Sequence, residues 1–151
     1  MIRFFADYML LLILAVSAGA VLIALKDTKQ WVRVPYVIMA GLTSLLVAKL
    51  ASVAYQPSTE RPFIAQGVEA GAAFIDNPGF PSDHALLAVA AIGAVWFMTR
   101  NKGLVTGLAI AAVAMMVARV LALVHTPLDI IGGVAAAAVG FLWYAMPPKR
   151  K

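Results

Sequence analysis

The chain has 151 residues, of which 63% are hydrophobic and only 13% charged, a balance far above the apolar fraction of a soluble domain. The absence of cysteine excludes disulfides, thiolate nucleophiles and thiolate metal sites, and two histidines 41 positions apart make a poor metal site. A formal net charge of +5 would suggest nucleic acid in a soluble chain, but here the placement of each charge carries the information, and no nucleic-acid partner is expected.

A helix needs about 20 largely apolar residues to cross a bilayer. On that measure the expected fold class is an all-α integral membrane protein, one domain over 1–151 with a bundle of about five spans at 5–25, 34–55, 82–99, 103–124 and 127–146. Small residues around Ser17 to Ala20 would suit a cleaved signal peptide, but the apolar run continues to Leu25 and favours a retained span. The turn Lys26 to Arg33 is basic, with Trp31 as an interfacial anchor, and Pro35 falls in the first turn of the second span. The long polar connection from Gln56 to Ser82 suggests function. Its Phe63 to Phe74 portion mixes apolar and polar residues and is expected to form a short interfacial helix. The last three spans are rich in Gly and Ala, which suits close helix packing.

Five spans place alternate connections on opposite faces. One face then collects Lys26, Lys29, Arg33, Arg100, Lys102, Lys149, Arg150 and Lys151 against the single acid Asp27. The other collects Arg3, Lys49, Arg61 and Arg119 with Asp7, Glu60, Glu69, Asp76, Asp83 and Asp129. By the positive-inside rule the first face is cytoplasmic. The amino terminus is then expected outside and the carboxyl terminus inside, in a plasma (bacterial inner) membrane.

Two polar clusters fall on the outer face. Arg119, His125 and Asp129 lie within eleven residues, and Pro81-Ser82-Asp83-His84 contributes the other histidine. Ionisable groups at membrane depth are costly and mark function. The cations Lys49, Arg61 and Arg119, with both histidines, would form a pocket for a multiply charged anion such as a phosphate monoester or diphosphate. Ser82 is a helix cap, and the N–H groups of the turn that follows form a phosphate site. His84, in that turn, could protonate a leaving oxygen. Asp129, four residues after His125, can fix the ring's tautomer and raise its basicity, so that the imidazole becomes the best available nucleophile.

The three segments resemble the signature of the type 2 phosphatidic acid phosphatase superfamily of integral membrane lipid phosphatases. The Ser-Asp-His form of the central motif is closest to the bacitracin-resistance type of undecaprenyl diphosphate phosphatase. The first family motif is Lys, six residues, Arg-Pro. Here Arg61-Pro62 matches, and the nearest upstream lysine, Lys49, has eleven residues between it and the arginine. Pro81, Ser82 and His84 match Pro-Ser-Gly-His with Asp83 for glycine, and Arg119, His125 and Asp129 match the third motif in both spacings with Ala118 for serine. The resemblance implies that His125 attacks phosphorus, Asp129 assists it and His84 protonates the leaving group. It implies further that Lys49, Arg61, Ser82 and Arg119 hold the phosphate, with no metal or cofactor. The family usually has six spans, so the chain looks shortened at its amino end. The expected partners are a lipid phosphate, the membrane lipids and, as an open alternative, a homo-oligomer.

The expected reaction is hydrolysis of a polyprenyl diphosphate at the outer leaflet, with phosphatidate or phosphatidylglycerol phosphate as the alternative substrate. A small anion-binding or transport protein is the alternative of another class. Simpler roles compete at several positions: Lys49 could snorkel to the headgroups, Ser82 could be only a cap, and Glu60, Glu69 and Asp76 suit loop solvation. Asp83 has no catalytic role in this reading.

Overall fold

The computed structural model describes residues 2–57, 60–77 and 79–146; the expected basic tail Lys149, Arg150 and Lys151 lies outside the described residues. Among the described residues six helices follow one another: α1 Ile2–Ala24, α2 Val34–Ala54, α3 Pro62–Ala65, α4 Asp83–Thr99, α5 Lys102–Leu121 and α6 Pro127–Gly140. A 3-10 segment, Thr28–Arg33, leads into α2, and another, Phe141–Ala145, continues α6. Among the described residues there is no strand.

Local chemistry sets the helix ends. Asp27 caps the first 3-10 turn by accepting from the Lys29 N–H at 3.0 Å, and Asn101 caps α5 by accepting from Leu104 N–H at 3.0 Å. Arg100 takes a left-handed conformation, φ 55°, to end α4. Thr126 and Asp129 form a reciprocal capping box that starts α6.

Among the described residues four stretches are long and apolar enough to cross a membrane: Ile2–Ala24, Thr28–Ala54, Lys102–Leu121 and Pro127–Ala145. The apolar α4 has 17 residues, about 25 Å of helix at 1.5 Å per residue. It is also the hub, packed against α1, α2, α5 and α6. Ile13 of α1, Val95 of α4 and Leu108 and Met115 of α5 make one buried cluster, and Ala48, Leu86, Ala136 and Ala137 join α2, α4 and α6 in another. Lipid is as apolar as these side chains, so close backbone approach and polar contacts must hold the bundle.

The small residues of α6 serve that approach. A Cβ on Gly133 would lie 2.4 Å from the Ser82 carbonyl oxygen, and one on Gly140 would lie 2.3 Å from the Ala40 carbonyl oxygen. Gly133→Ala must therefore push α6 off the start of α4, against backbone that cannot rotate away. The expected cost is about 1–3 kcal/mol, seen as a lower midpoint of thermal unfolding in detergent. Gly19→Ala, with nothing within 4 Å of the added carbon, should not lower it. Equal midpoints for the two variants would contradict this packing.

The segment from Phe63 to Phe74 differs from the short interfacial helix expected. Only Pro62–Ala65 is helical, because Gly67 turns the chain at φ 64°. The chain then folds inward over the α5–α6 turn. Phe63 is buried with its ring 4.8 Å from that of Phe74, and the Phe63 and Gly71 N–H groups donate to the Leu123 and Ala122 carbonyls at 3.0 and 3.1 Å. At its carboxyl end α5 stops at Leu121 rather than Val124, and Leu123, at φ 58°, makes the turn that presents His125.

Candidate active site

The helix ends define one polar end of the bundle. There a cavity of about 830 Å³ is lined by Asp7 of α1, Lys49 of α2, Asp83 and His84 of α4, Arg119 of α5, and Arg61 and His125 from the connections. The two clusters legible in the sequence therefore meet. The link is a backbone bond, the Ser82 N–H donating to the Asp129 carbonyl at 2.9 Å, which joins the start of α4 to the start of α6.

His125 is buried, 4% exposed, and its Nδ1 lies 3.4 Å from Asp129 Oδ2. This is a close contact rather than a formed hydrogen bond, since Nδ1 has no hydrogen-bond partner among the described residues. The carboxylate is itself held, its Oδ2 accepting from the Thr126 N–H at 2.7 Å. The capping box thus positions the group that orients the imidazole. Burial pushes the His125 pKa below its ordinary value, Asp129 opposes that shift, and Arg119 and Arg61 add to it. The ring is neutral near pH 7, the form that carries a nucleophilic lone pair. With Nδ1 facing the carboxylate, that lone pair belongs on Nε2.

Arg119 is 2% exposed and sits in the last turn of α5, where a cation suits the helix dipole. Its Nη1 donates to the Ala73 carbonyl at 2.9 Å and the Ala6 carbonyl at 3.4 Å and lies 3.8 Å from Asp7 Oδ1. Asp7 also accepts the Ala73 N–H at 2.9 Å, so this unit clasps α1, α5 and the long connection. Arg119 Nε is buried without a hydrogen-bond partner among the described residues, an unused donor on a residue that lines the cavity. Asp7 went unassigned in the sequence. The available signal was a carboxylate one turn into an apolar helix, but its partners lie 66 and 112 positions away.

The residues expected to hold phosphate fall into three situations. Lys49 and Arg119 line the cavity with donors to spare; Lys49 is exposed and has no carboxylate partner among the described residues. Arg61 also lines it, but most of its N–H groups are bonded to the protein. Ser82 is fully buried as the α4 cap, its Oγ accepting from the Ala85 N–H at 3.5 Å, and it is not on the cavity wall. Among the described residues no group of three His, Asp or Glu side chains is placed to hold a metal ion.

The family model described as the PAP2 superfamily matches residues 8–151 of the chain. No curated protein and no solved structure matches it.

Proposed function

The chain belongs to the PAP2 superfamily, whose members are generally phosphatases, and from that premise we propose that it hydrolyses lipid phosphates without a metal, through a phosphohistidine formed on His125. The observation that carries this reading is a buried His125 backed by Asp129 at 3.4 Å and sharing one cavity with His84, Lys49 and Arg119.

In the first step the His125 Nε2 lone pair attacks phosphorus, the bond from phosphorus to the leaving oxygen breaks, and His84 gives that oxygen its proton. Asp129 stabilises the imidazolium that develops, as a carboxylate does behind any histidine that gains charge in its transition state. Lys49 and Arg119 hold the phosphoryl oxygens. In the second step His84 takes a proton from water as the water oxygen attacks phosphorus. The P–N bond breaks, inorganic phosphate leaves, and both histidines return to their starting states.

A lipid substrate suits the setting. The cavity continues from its polar floor onto Leu10, Leu45, Leu86 and Leu87, and Leu45 and Leu87 are exposed on the outside of the bundle. With α4 read as a fifth, central span, the cations Lys26, Lys29, Arg33, Arg100 and Lys102 gather at the end opposite the cavity. By the positive-inside rule this distribution supports a site at the extracytoplasmic leaflet, and we propose a bacterial inner membrane as its setting. A polyprenyl diphosphate such as undecaprenyl diphosphate is the leading substrate, by likeness of the Pro81-Ser82-Asp83-His84 motif to the bacitracin-resistance type; phosphatidate and phosphatidylglycerol phosphate come next. A panel of these lipids in detergent with a strong chelator present should show phosphate release, fastest from the diphosphate. Loss of release on chelation would sink the histidine mechanism.

The pH profile offers a second check. On the acid side kcat/KM rises as His125 loses its proton, with the midpoint of that limb below the ordinary histidine value. Asp129 raises the His125 pKa, so Asp129→Asn should move the limb to still lower pH while lowering kcat by about 10²-fold or more. Asparagine keeps the helix cap, so the fold should survive. A limb displaced towards higher pH would contradict the pairing.

A further inference from the structure

Asp7 is the only acidic residue of α1, and it lines the cavity beside Arg119. A carboxylate placed there opposes an incoming phosphate by like charge, so its presence calls for another purpose. Its contacts supply one. Asp7 Oδ1 accepts the Ala73 N–H at 2.9 Å and lies 3.8 Å from Arg119 Nη1. Ala73 returns the contact, since its carbonyl accepts from the same Nη1 at 2.9 Å, and the Ala6 carbonyl accepts there at 3.4 Å. Of the three oxygens around Nη1, Asp7 supplies one and, through its bond to Ala73, fixes a second. Arg119 Nε has no hydrogen-bond partner among the described residues. A guanidinium is planar and rigid, so a fixed Nη1 sets the direction of the rest of the fork. The other neighbour of Asp7, Arg3, faces Oδ2 at 3.6 Å but is 77% exposed, and an ion pair so placed adds little.

We infer that Asp7 is a positioning residue of the active site, which anchors Arg119 Nη1 on α1 and so holds the remaining edge of the guanidinium in place for the phosphoryl group. The inference rests on the hydrolase reading above for what Arg119 holds. It makes the first helix part of the site, although none of the sequence motifs lies on that helix. One carboxylate then has two opposing effects on an anion. Its charge alone weakens binding. Its hold on the arginine strengthens binding, because a side chain already aimed loses less rotamer freedom when the anion arrives. The sign of the change on removing the carboxylate charge separates the two.

The test measures orthovanadate affinity, by protection of the full chain against thermal unfolding in detergent, together with kcat and KM for the lipid phosphate. Asp7→Asn keeps an acceptor for the Ala73 N–H but drops the charge that holds Nη1. It should weaken vanadate by about fivefold, raise KM and lower kcat by about tenfold. Asp7→Glu keeps the charge but displaces it by a methylene. It should weaken vanadate in the same direction, and it carries the test if Asp7→Asn does not fold. Arg3→Gln changes charge on the solvent side only and should leave vanadate affinity, kcat and KM within about twofold of wild type. In an Arg119→Lys background, where no fork is left to aim, Asp7→Asn should weaken vanadate by less than about twofold. Tighter vanadate binding by Asp7→Asn, wild-type affinity and turnover in either Asp7 variant, an equal loss in Arg3→Gln, or an undiminished loss beside Arg119→Lys overturns the assignment. A wild type that binds vanadate but releases no phosphate from any lipid overturns the hydrolase reading instead, and the vanadate comparison still decides the role of Asp7.

Discussion

Replacing His125 with glutamine should lower phosphate release from lipid substrates by about 10⁴-fold or more while leaving orthovanadate or phosphate bound. The size of the loss follows from the assigned role. The cavity holds no cysteine, the neighbouring Ser82 hydroxyl is buried in its cap and off the cavity wall, and of the nucleophilic groups on that wall His125 is the one backed by Asp129. The surviving affinity follows from geometry too, because Lys49 and Arg119 stand on other helices and do not depend on the imidazole. This pair of results separates an enzyme from a protein that only captures or passes anions, since the latter needs the cations alone. Unchanged release by His125→Gln would sink the enzyme reading, and loss of both properties would mean that the histidine is a structural prop.

Arg119→Ala should have the second largest effect, on the fold and the site together. The guanidinium is almost wholly buried, and its removal leaves the Ala73 carbonyl without that donor and Asp7 without its nearest buried cation. Breaking one side of a buried pair costs about 3–5 kcal/mol, and Asp7, partly exposed and also facing Arg3 at 3.6 Å, should place this case at the lower end of that range. Asp7→Asn keeps an acceptor for the Ala73 N–H but drops the charge. Placed in the Arg119→Ala background it should restore part of the lost stability, because no unpaired carboxylate then remains. A double-mutant cycle by thermal unfolding in detergent measures this coupling. Additive losses would mean that the 3.8 Å approach carries no energy. In either background the KM for lipid phosphate should rise, as the free donor at Arg119 Nε is gone.

The parts of the molecule that could be read from the sequence are those written locally. Long apolar runs gave away the helices that now pack as α1, α2, α5 and α6, and Ser82 announced a helix start because a cap is a contact over three residues. The spacing of His125 and Asp129 implied their approach for the same reason, one helical turn being the whole distance involved. What could not be read depends on contacts distant in sequence. Nothing in its composition distinguishes α4, as apolar as its neighbours, from a helix on the rim, yet it is the element that all four long helices touch. Asp7 belongs to no motif, and its importance appears only when α5 and the long connection fold back on it. The stretch from Phe63 to Phe74 has an amphipathic look, but the tilted packing of its two phenylalanine rings and the turn at Gly67 bend it into a plug over His125's turn.

Arg61 and Lys49 illustrate the limits of a motif. A spacing can bring an arginine to the rim of a pocket but cannot say which way its fork points, and here the fork is bonded mainly to backbone. Lys49, with its irregular spacing to Arg61, nevertheless reaches the cavity. It projects from within α2, about a turn before the helix ends at Ala54, and so does not rely on the connection that follows.

The claim on which all of this turns is that His125 carries the phosphoryl group, and it can be tested by trapping. His84→Gln, given a radiolabelled aryl phosphate whose leaving group needs no proton, should form the intermediate but lack the base that activates water, so that label accumulates on the protein. The label should be stable to alkali and labile to acid, map to the peptide containing His125, and be absent from the His84→Gln, His125→Gln double variant. Label on any other residue, or undiminished single-turnover release by a protein without His125, would contradict it.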